Sequence, residues 1–489
     1  MDLRRRELLG TSLIFLAGDI TTSTASAQDA NPSGATATYG AANTGLGITT
    51  RFARFLSRIR YEDLPSTASH EAKRAVLDWM GCALAGSTHP TAKLLLATFE
   101  DIGSVPVATV LGQGGRKFSL LDAPVANGQM GHVLDFDDTH LGGVILHTST
   151  ATLPALFALG EKRKSSGRDI IVALAAAFEA GIRVGQAAPR HHLAGWHLTG
   201  TLGTVAATAG SAHLVGLDEQ QTVFAFGIGC TQAAGMQQNR GSDCKSLHAG
   251  KSAYHGVLAA TLASHGFNSS PEILEGALGF TKIFSTAQQN EAIVAGLGQT
   301  WMITGNGYKP YACGVVLHPL IDAMIEVSRK AHTPAAEVER VTVQVHPDVI
   351  RITGVDQPGS GLMSKFSANH AAAVSYIDQA AGVAQFTNER AGDAMVQSLR
   401  KLIQVKPDPS LRLDQSIATV RIKSGTTLEA RIEHATGTVE NPMSDQALRD
   451  KFLGNAEPVI GAGRARIVAD MILDLDALND VGKLLRICV

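Results

Sequence analysis

The sequence predicts a mainly α protein, with a large all-helical domain followed by a smaller α+β domain. Three observations predict it. Apolar residues recur at i, i+3, i+4 spacing through most of the first 295 positions, period-two alternation replaces them after Gly296, and helical spacing returns near the C-terminal end. At 489 residues the chain exceeds one ordinary core, since domains usually run ~100–200 residues. Composition shifts divide it into residues 1–27, 28–47, 48–295, 296–440 and 441–489.

Residues 1–27 read as a leader. Leu3-Arg4-Arg5-Arg6-Glu7-Leu8-Leu9-Gly10 resembles a twin-arginine export signal, Leu13 to Ala17 is a short apolar stretch in an apolar region that Asp19 interrupts, and Ala25-Ser26-Ala27 offers a small-x-small cleavage site. This predicts a periplasmic protein whose mature chain begins near Gln28. A span needs ~20 apolar residues, so no membrane anchor is expected here. Residues 28–47 are Gly/Thr/Ala-rich from Asn31 onward and predict a disordered tether, because they hold too few large apolar groups to bury.

In the helical domain, Ala72, Ala75, Val76, Trp79, Met80, Ala83 and Leu84 fall on one face of a helix over Ser69–Gly86, which Gly86 ends. Pro90 opens the next helix, which stops by Gly103. The β-branched run Val105 to Leu111 predicts a minor strand. Helices follow at about 119–134, 151–164, 169–187, 198–215, 219–234, 252–263 and 271–278. Residues 198–217 carry no Asp, Glu, Lys or Arg, but their Thr, Ser, Gly and His content marks a buried bundle helix. In the α+β domain, Glu339 to Val345 alternates at period two, and Ile417–Ile422 with Leu428–Ile432 brackets Ser424-Gly425-Thr426-Thr427 as a hairpin. Helices return at 445–453 and 465–485.

A formal net charge of -2, without a basic run interleaved with aromatics, argues against a nucleic-acid partner and for small-molecule chemistry. Cys82, Cys230, Cys244, Cys313 and Cys488 are scattered and form no CxxC pair, so neither a zinc site nor a disulfide framework is implied. The densest chemistry lies in Asp135-Phe136-Asp137-Asp138-Thr139-His140, with His147-Thr148-Ser149 seven residues on. Carboxylates this close cannot all ionise freely, which drives their pKa values apart and suits proton transfer near neutral pH. Further polar clusters are His191-His192 with Gly195-Trp196-His197, Lys245 to Gly250, Tyr308-Lys309-Pro310-Tyr311 with His318, and Lys365-Phe366-Ser367 with His370. Magnesium on Asp135, Asp137 and Asp138, or zinc on His191, His192 and His197, is the rival reading. Those spacings match no compact metal motif, so no metal and no cofactor are expected.

In this order the clusters resemble the MmgE/PrpD family. The resemblance is carried by Asp78-Trp79-Met80-Gly81-Cys82, Ala108 to Gly112, Ala126-Asn127-Gly128 leading into Asp135-Phe136-Asp137-Asp138-Thr139, Gly195-Trp196-His197, Lys245-Ser246-Leu247-His248-Ala249-Gly250, and Lys309-Pro310-Tyr311 through His318. It implies that the α+β domain is a lid, that the protein is a homodimer, and that a small di- or tricarboxylic acid reacts without a cofactor. Residue by residue it implies catalytic roles for Asp135, His147, His197 and Lys245, and substrate contacts from Thr139, His140, Lys309 and His318. Lys245 is expected to clamp a carboxylate, with His147 or His197 as the base and Asp135 tuning it. The expected activity is a hydro-lyase like 2-methylcitrate dehydratase. A decarboxylase of cis-aconitate or an epimerase of iminodisuccinate is the alternative, and a periplasmic carboxylate-binding protein without turnover is the alternative of another class. Ala312 and Gly314 stand where the family often has Pro and Cys, and Thr148 where it commonly has Pro.

Overall fold

The computed structural model describes residues 46–489. The export-signal reading of residues 1–27 lies outside the described residues, as does the tether up to residue 45. Gly47 already caps a helix over Ile48–Leu56.

The protein is mainly α. Helices over Ser66–Gly86, Asp122–Val133, Thr148–Arg163, Gly167–Ala187, Leu198–Val215 and Asp243–Ser264 form the helical body, with the Leu198–Val215 helix packed against three of the others. Its charge-free sequence follows from that position, since nearly every residue along it is buried. The Gly167–Ala187 helix is long and apolar enough to cross a membrane, yet 94% of its most apolar window is buried inside the fold, which makes it a core helix.

Close approach is built from glycine. The Cβ of an alanine at Gly128 would stand 2.6 Å from the Gly250 Cα, and one at Gly250 would collide with the Val125 carbonyl, so the Asp122–Val133 and Asp243–Ser264 helices touch through backbone. Gly250→Ala is therefore expected to destabilise the protein by about 1–3 kcal/mol, the usual cost of overpacking. Urea unfolding checks this, and an unchanged midpoint would contradict it.

Several elements depart from expectation. Residues 271–278 are not helical. The Gly276 amide bonds to Glu272 O at 2.8 Å and the Phe280 amide to Ile273 O at 2.7 Å, so glycines break the run into turns before a short helix at Phe280–Phe284. The helix expected from 252 begins at Asp243, which puts Lys245 in its first turn. The minor strand shrinks to Ala108–Thr109, paired with Lys117–Phe118. Residues 465–485 split into Ala462–Leu473 and Gly482–Leu485 around a polar turn.

The second domain carries a four-stranded sheet. Val338–Val345 pairs in parallel with the edge strand Ile403–Pro407 and antiparallel with Ser416–Ile422, which forms the hairpin with Thr427–Ile432. Val341, Val343 and Val345 bury one face, against which the His318–Ala331 helix packs, with the Ala368–Asp378 helix beside it. The main apolar core joins residues 52–308 to 443–488, and a second core joins 312–430. Residues 301–308, which texture assigns to the α+β domain, thus pack into the helical core through Trp301, Ile303 and Tyr308. Cys82, Val133, Leu134 and Phe136 of the helical body enter the second core, so the end of the Asp122–Val133 helix sits at the seam.

Candidate active site

The site grows from that helix end. After the capping residue Leu134, Asp135 takes the left-handed region at φ +51°, where a short polar side chain is tolerated. The chain then turns through Asp137 and Asp138, both fully buried, into a two-residue bridge that sets Thr139 opposite Gly307 and His140 opposite Asn306.

Three lysines converge on the turn. Lys309, 1% exposed, donates to Asp135 Oδ1 at 2.5 Å and to the Asp135 carbonyl at 3.1 Å. Lys245 Nζ stands 3.2 Å from Asp135 Oδ2. Lys365, from the lid, donates to the carbonyls of Leu134 at 2.7 Å and Ala312 at 2.6 Å, which leaves one N–H of its ammonium free. Burial alone would raise the Asp135 pKa, but Lys245 and Lys309 outweigh it and hold the carboxyl well below the usual range. Burial pushes Lys365 down to about 8, so it is charged at neutral pH. Asp138 moves the other way. Burial and the neighbouring Asp78 raise it well above the ordinary value, and it is held by Ser149 and by Asn306 at 2.7 Å. Lys451 neutralises Asp78 at 2.6 Å. Three ammonium groups thus face the turn, two of them paired with Asp135 and the third, Lys365, held by carbonyls alone.

Four imidazoles adjoin this array. His132 Nδ1 lies 2.8 Å from Asp137 Oδ2. His147 Nδ1 lies 2.9 Å from the Asp138 carbonyl, 3.1 Å from Thr139 Oγ1 and 3.5 Å from Asp137. His197 Nδ1 meets His248 Nδ1 at 2.9 Å. The His132 ring centroid is 4.6 Å from that of His147 and 5.8 Å from that of His197. Burial pushes His147 down to about 3, and burial with Lys245 pushes His197 well below its ordinary value, so both are neutral at pH 7.

Two cavities flank the array. The smaller, of about 10 Å³, is lined by His132, Asp135, Lys245 and Ser246 from the body and by Lys365 and Phe366 from the lid, and holds about one water. The larger, of about 450 Å³, is lined by Thr139, Lys309 and His318 with apolar neighbours and the Arg412–Asp414 loop. Of the residues singled out from sequence, Asp135 and Lys245 thus line the closed cleft, and Thr139, Lys309 and His318 the larger cavity. His147 and His197 line neither but touch the same array. His140 stands apart, with its ring nitrogens against the Val144 carbonyl at 3.3 Å and the Met302 carbonyl at 3.0 Å, and it pins two loops together. Sequence reasoning missed His132 because it sits in the apolar run Met130 to Leu134. The available signal was a buried imidazole five residues before a buried carboxylate, a combination that demands pairing.

Among the described residues, His132, Asp137 and His147 bring one possible ligand atom each within 4.8 Å of one another, as do Asp414, His434 and Glu440. The first trio is already engaged in the hydrogen bonds above. His191 and His192 do not converge with His197: His191 packs against Trp196, Phe280 and Phe284, and His192 bonds to Gln237 at 3.0 Å.

A buried turn of carboxylates, clamped by lysines from a helical body and an α+β lid, defines a class of protein that the comparisons identify. The MmgE/PrpD N-terminal domain matches residues 50–293 and the MmgE/PrpD C-terminal domain residues 311–477, so the chain belongs to the MmgE/PrpD family. It is similar to a cis-aconitate decarboxylase of Aspergillus terreus, 29% identical over 91% of this chain and 96% of the relative. Cis-aconitate decarboxylases of Mus musculus and Homo sapiens are each 25% identical, over 90% and 89% of this chain and 93% of each relative.

Proposed function

We propose that this chain is a lyase that decarboxylates cis-aconitate or a close tricarboxylate analogue. The observation that carries the reading is the convergence of three buried ammonium groups, Lys245, Lys309 and Lys365, on one turn, where Lys365 has only carbonyl partners and no carboxylate of its own. Uncompensated charge in a closed site is costly, and an anionic substrate supplies what is missing. The names of the relatives favour decarboxylation over the 2-methylcitrate dehydration expected from sequence. A substrate larger than one water cannot enter the cleft as it stands, so the lid segment around Lys365 and Phe366 has to move for binding.

The chemistry balances without an electron acceptor. In cis-aconitate the bond between the methylene carbon and its carboxylate breaks, carbon dioxide leaves, and the freed pair forms a new double bond to the central carbon. The displaced olefinic pair takes a proton at the carbon beside the remaining terminal carboxylate. The site must therefore grip two carboxylates, desolvate the third and deliver one proton. Lys245 and Lys365 offer the grip, while Val133, Leu362 and Phe366 offer apolar surface. Proton NMR of the purified chain with cis-aconitate, 2-methylcitrate, citrate and iminodisuccinate tests the reading. Loss of cis-aconitate with growth of a terminal methylene pair is expected, whereas dehydration of 2-methylcitrate with cis-aconitate untouched would overturn it.

A pH dependence follows from Lys365. Its ammonium is present below about 8 and lost above, because burial lowers its pKa. The profile of kcat/KM reports groups of the free enzyme, so kcat/KM for the anionic substrate should fall as pH rises through about 8. Lys365→Met should lower kcat/KM and remove that limb, and a variant that keeps it would assign the limb elsewhere.

A further inference from the structure

We infer that His132 is the catalytic imidazole of the closed cleft, and that its Nε2 delivers the proton to the substrate carbon as carbon dioxide leaves. The assignment rests on the decarboxylase reading.

Placement separates His132 from its neighbours. Among the described residues it is the only imidazole lining the cleft that Asp135, Lys245, Lys365 and Phe366 enclose. His147 shares its Nδ1 among the Asp138 carbonyl, Thr139 and Asp137 and does not line the cleft. His197 has both nitrogens engaged, Nδ1 with His248 and Nε2 with Thr199 Oγ1 at 3.4 Å.

Hydrogen bonding then fixes which edge of the His132 ring is available. A carboxylate only accepts, so the contact of Nδ1 with Asp137 Oδ2 at 2.8 Å places the proton of the neutral ring on Nδ1. Nε2 keeps its lone pair, is fully buried and has no partner in the protein. Such an orphan is expensive unless a ligand completes it. Asp137 has a second use: it is positioned to stabilise the imidazolium, as the aspartate of a catalytic triad does for its histidine.

The proton cycle closes on these groups. Burial lowers the pKa of His132 in the closed cleft, so Nε2 takes its solvent proton in the open site, where Asp137 and the carboxylates of the bound acid favour the resulting imidazolium. As the carbon–carboxylate bond breaks and the electron pair shifts, the Nε2 proton passes to the olefinic carbon. The ring returns to its neutral form with Nδ1–H still on Asp137. Each turnover consumes one solvent proton and releases one carbon dioxide, and nothing is oxidised or reduced.

His132→Asn tests the role, because its amide NH₂ stands near the place of Nδ1 and can keep the bond to Asp137 while Nε2 is removed. With cis-aconitate, kcat is expected to fall about 10²–10⁴-fold, the usual contribution of a general acid, with KM within about threefold of wild type. Should that variant fail to fold, a crystal structure of the wild-type chain with propane-1,2,3-tricarboxylate, the saturated analogue, decides instead. It should show His132 Nε2 as the ring nitrogen nearest a methylene carbon. Active wild type beside a His132→Asn variant within about fivefold of its kcat, or an analogue complex with His147 or His197 in that place, overturns the role of His132. Wild type inert toward cis-aconitate overturns the decarboxylase reading itself.

Discussion

Lys309→Met is expected to cost about 3 kcal/mol or more of stability, toward the lower end of the range for breaking a buried ion pair, because Lys245 stays within reach of the abandoned carboxylate. The Lys309 ammonium is almost wholly enclosed and is bound to both the carboxylate and the carbonyl of Asp135. Methionine matches the length of the side chain, so the change removes charge and two hydrogen bonds with little loss of volume. It also releases a residue held in the left-handed region. Urea unfolding followed by tryptophan fluorescence should show a lower midpoint at unchanged slope. Asp135→Asn added to Lys309→Met should recover much of the loss, since it removes the stranded charge. A single variant as stable as wild type would mean that Asp135 is not held ionised by Lys309. The acid dependence should change in step. The folded-state pKa of Asp135 is depressed, so its contribution is present above the unfolded value of about 3.9 and lost as pH falls toward the folded one. Lys309→Met should flatten that part of the acid transition.

The helical body was legible because its helices announce themselves by apolar spacing, from Trp79 and Met80 in one to the charge-free run from Leu198 in another. The hairpin around Gly425 was legible for a local reason too: its strands are neighbours in sequence, and the glycine takes φ +91°. What escaped is non-local. Ile403–Pro407 is a strand only because Val338–Val345, some sixty residues earlier, lies parallel to it, and nothing within its five residues states that pairing. The site divides along the same line. Asp135 and Lys245 stood out by type and local density, and both reach the cleft. His132 hid among Met130, Val133 and Leu134, since its meaning comes from Asp137 folding back across the helix end. Lys365 stood out as a polar cluster at a helix start, but the carbonyls it binds, Leu134 and Ala312, come from distant parts of the chain.

Lys245→Met should leave most of the stability and remove most of the activity, the reverse of the balance at Lys309. Asp135 keeps Lys309 at 2.5 Å when Lys245 is lost, and the Lys245 side chain, 12% exposed, is the less enclosed of the two. The cleft loses a charged donor that faces the substrate, on the first turn of a helix whose N-terminal dipole also favours an anion there. Truncating one side of a buried charge pair costs about 2–5 kcal/mol, which corresponds to roughly 30- to 4,000-fold in kcat/KM. If Lys245 grips substrate and transition state equally, the loss appears in KM. If its grip tightens as charge moves onto the carbon beside the bound carboxylate, kcat falls as well. Lys245→Arg should not restore activity despite keeping the charge, because a planar guanidinium fork cannot take the place of the compact ammonium that meets both Asp135 and the substrate. Steady-state kinetics on cis-aconitate, with circular dichroism to confirm the fold, decide the matter. Wild-type kcat/KM in Lys245→Met, or full rescue by arginine, would show that the positive charge facing the cleft is not what holds the acid.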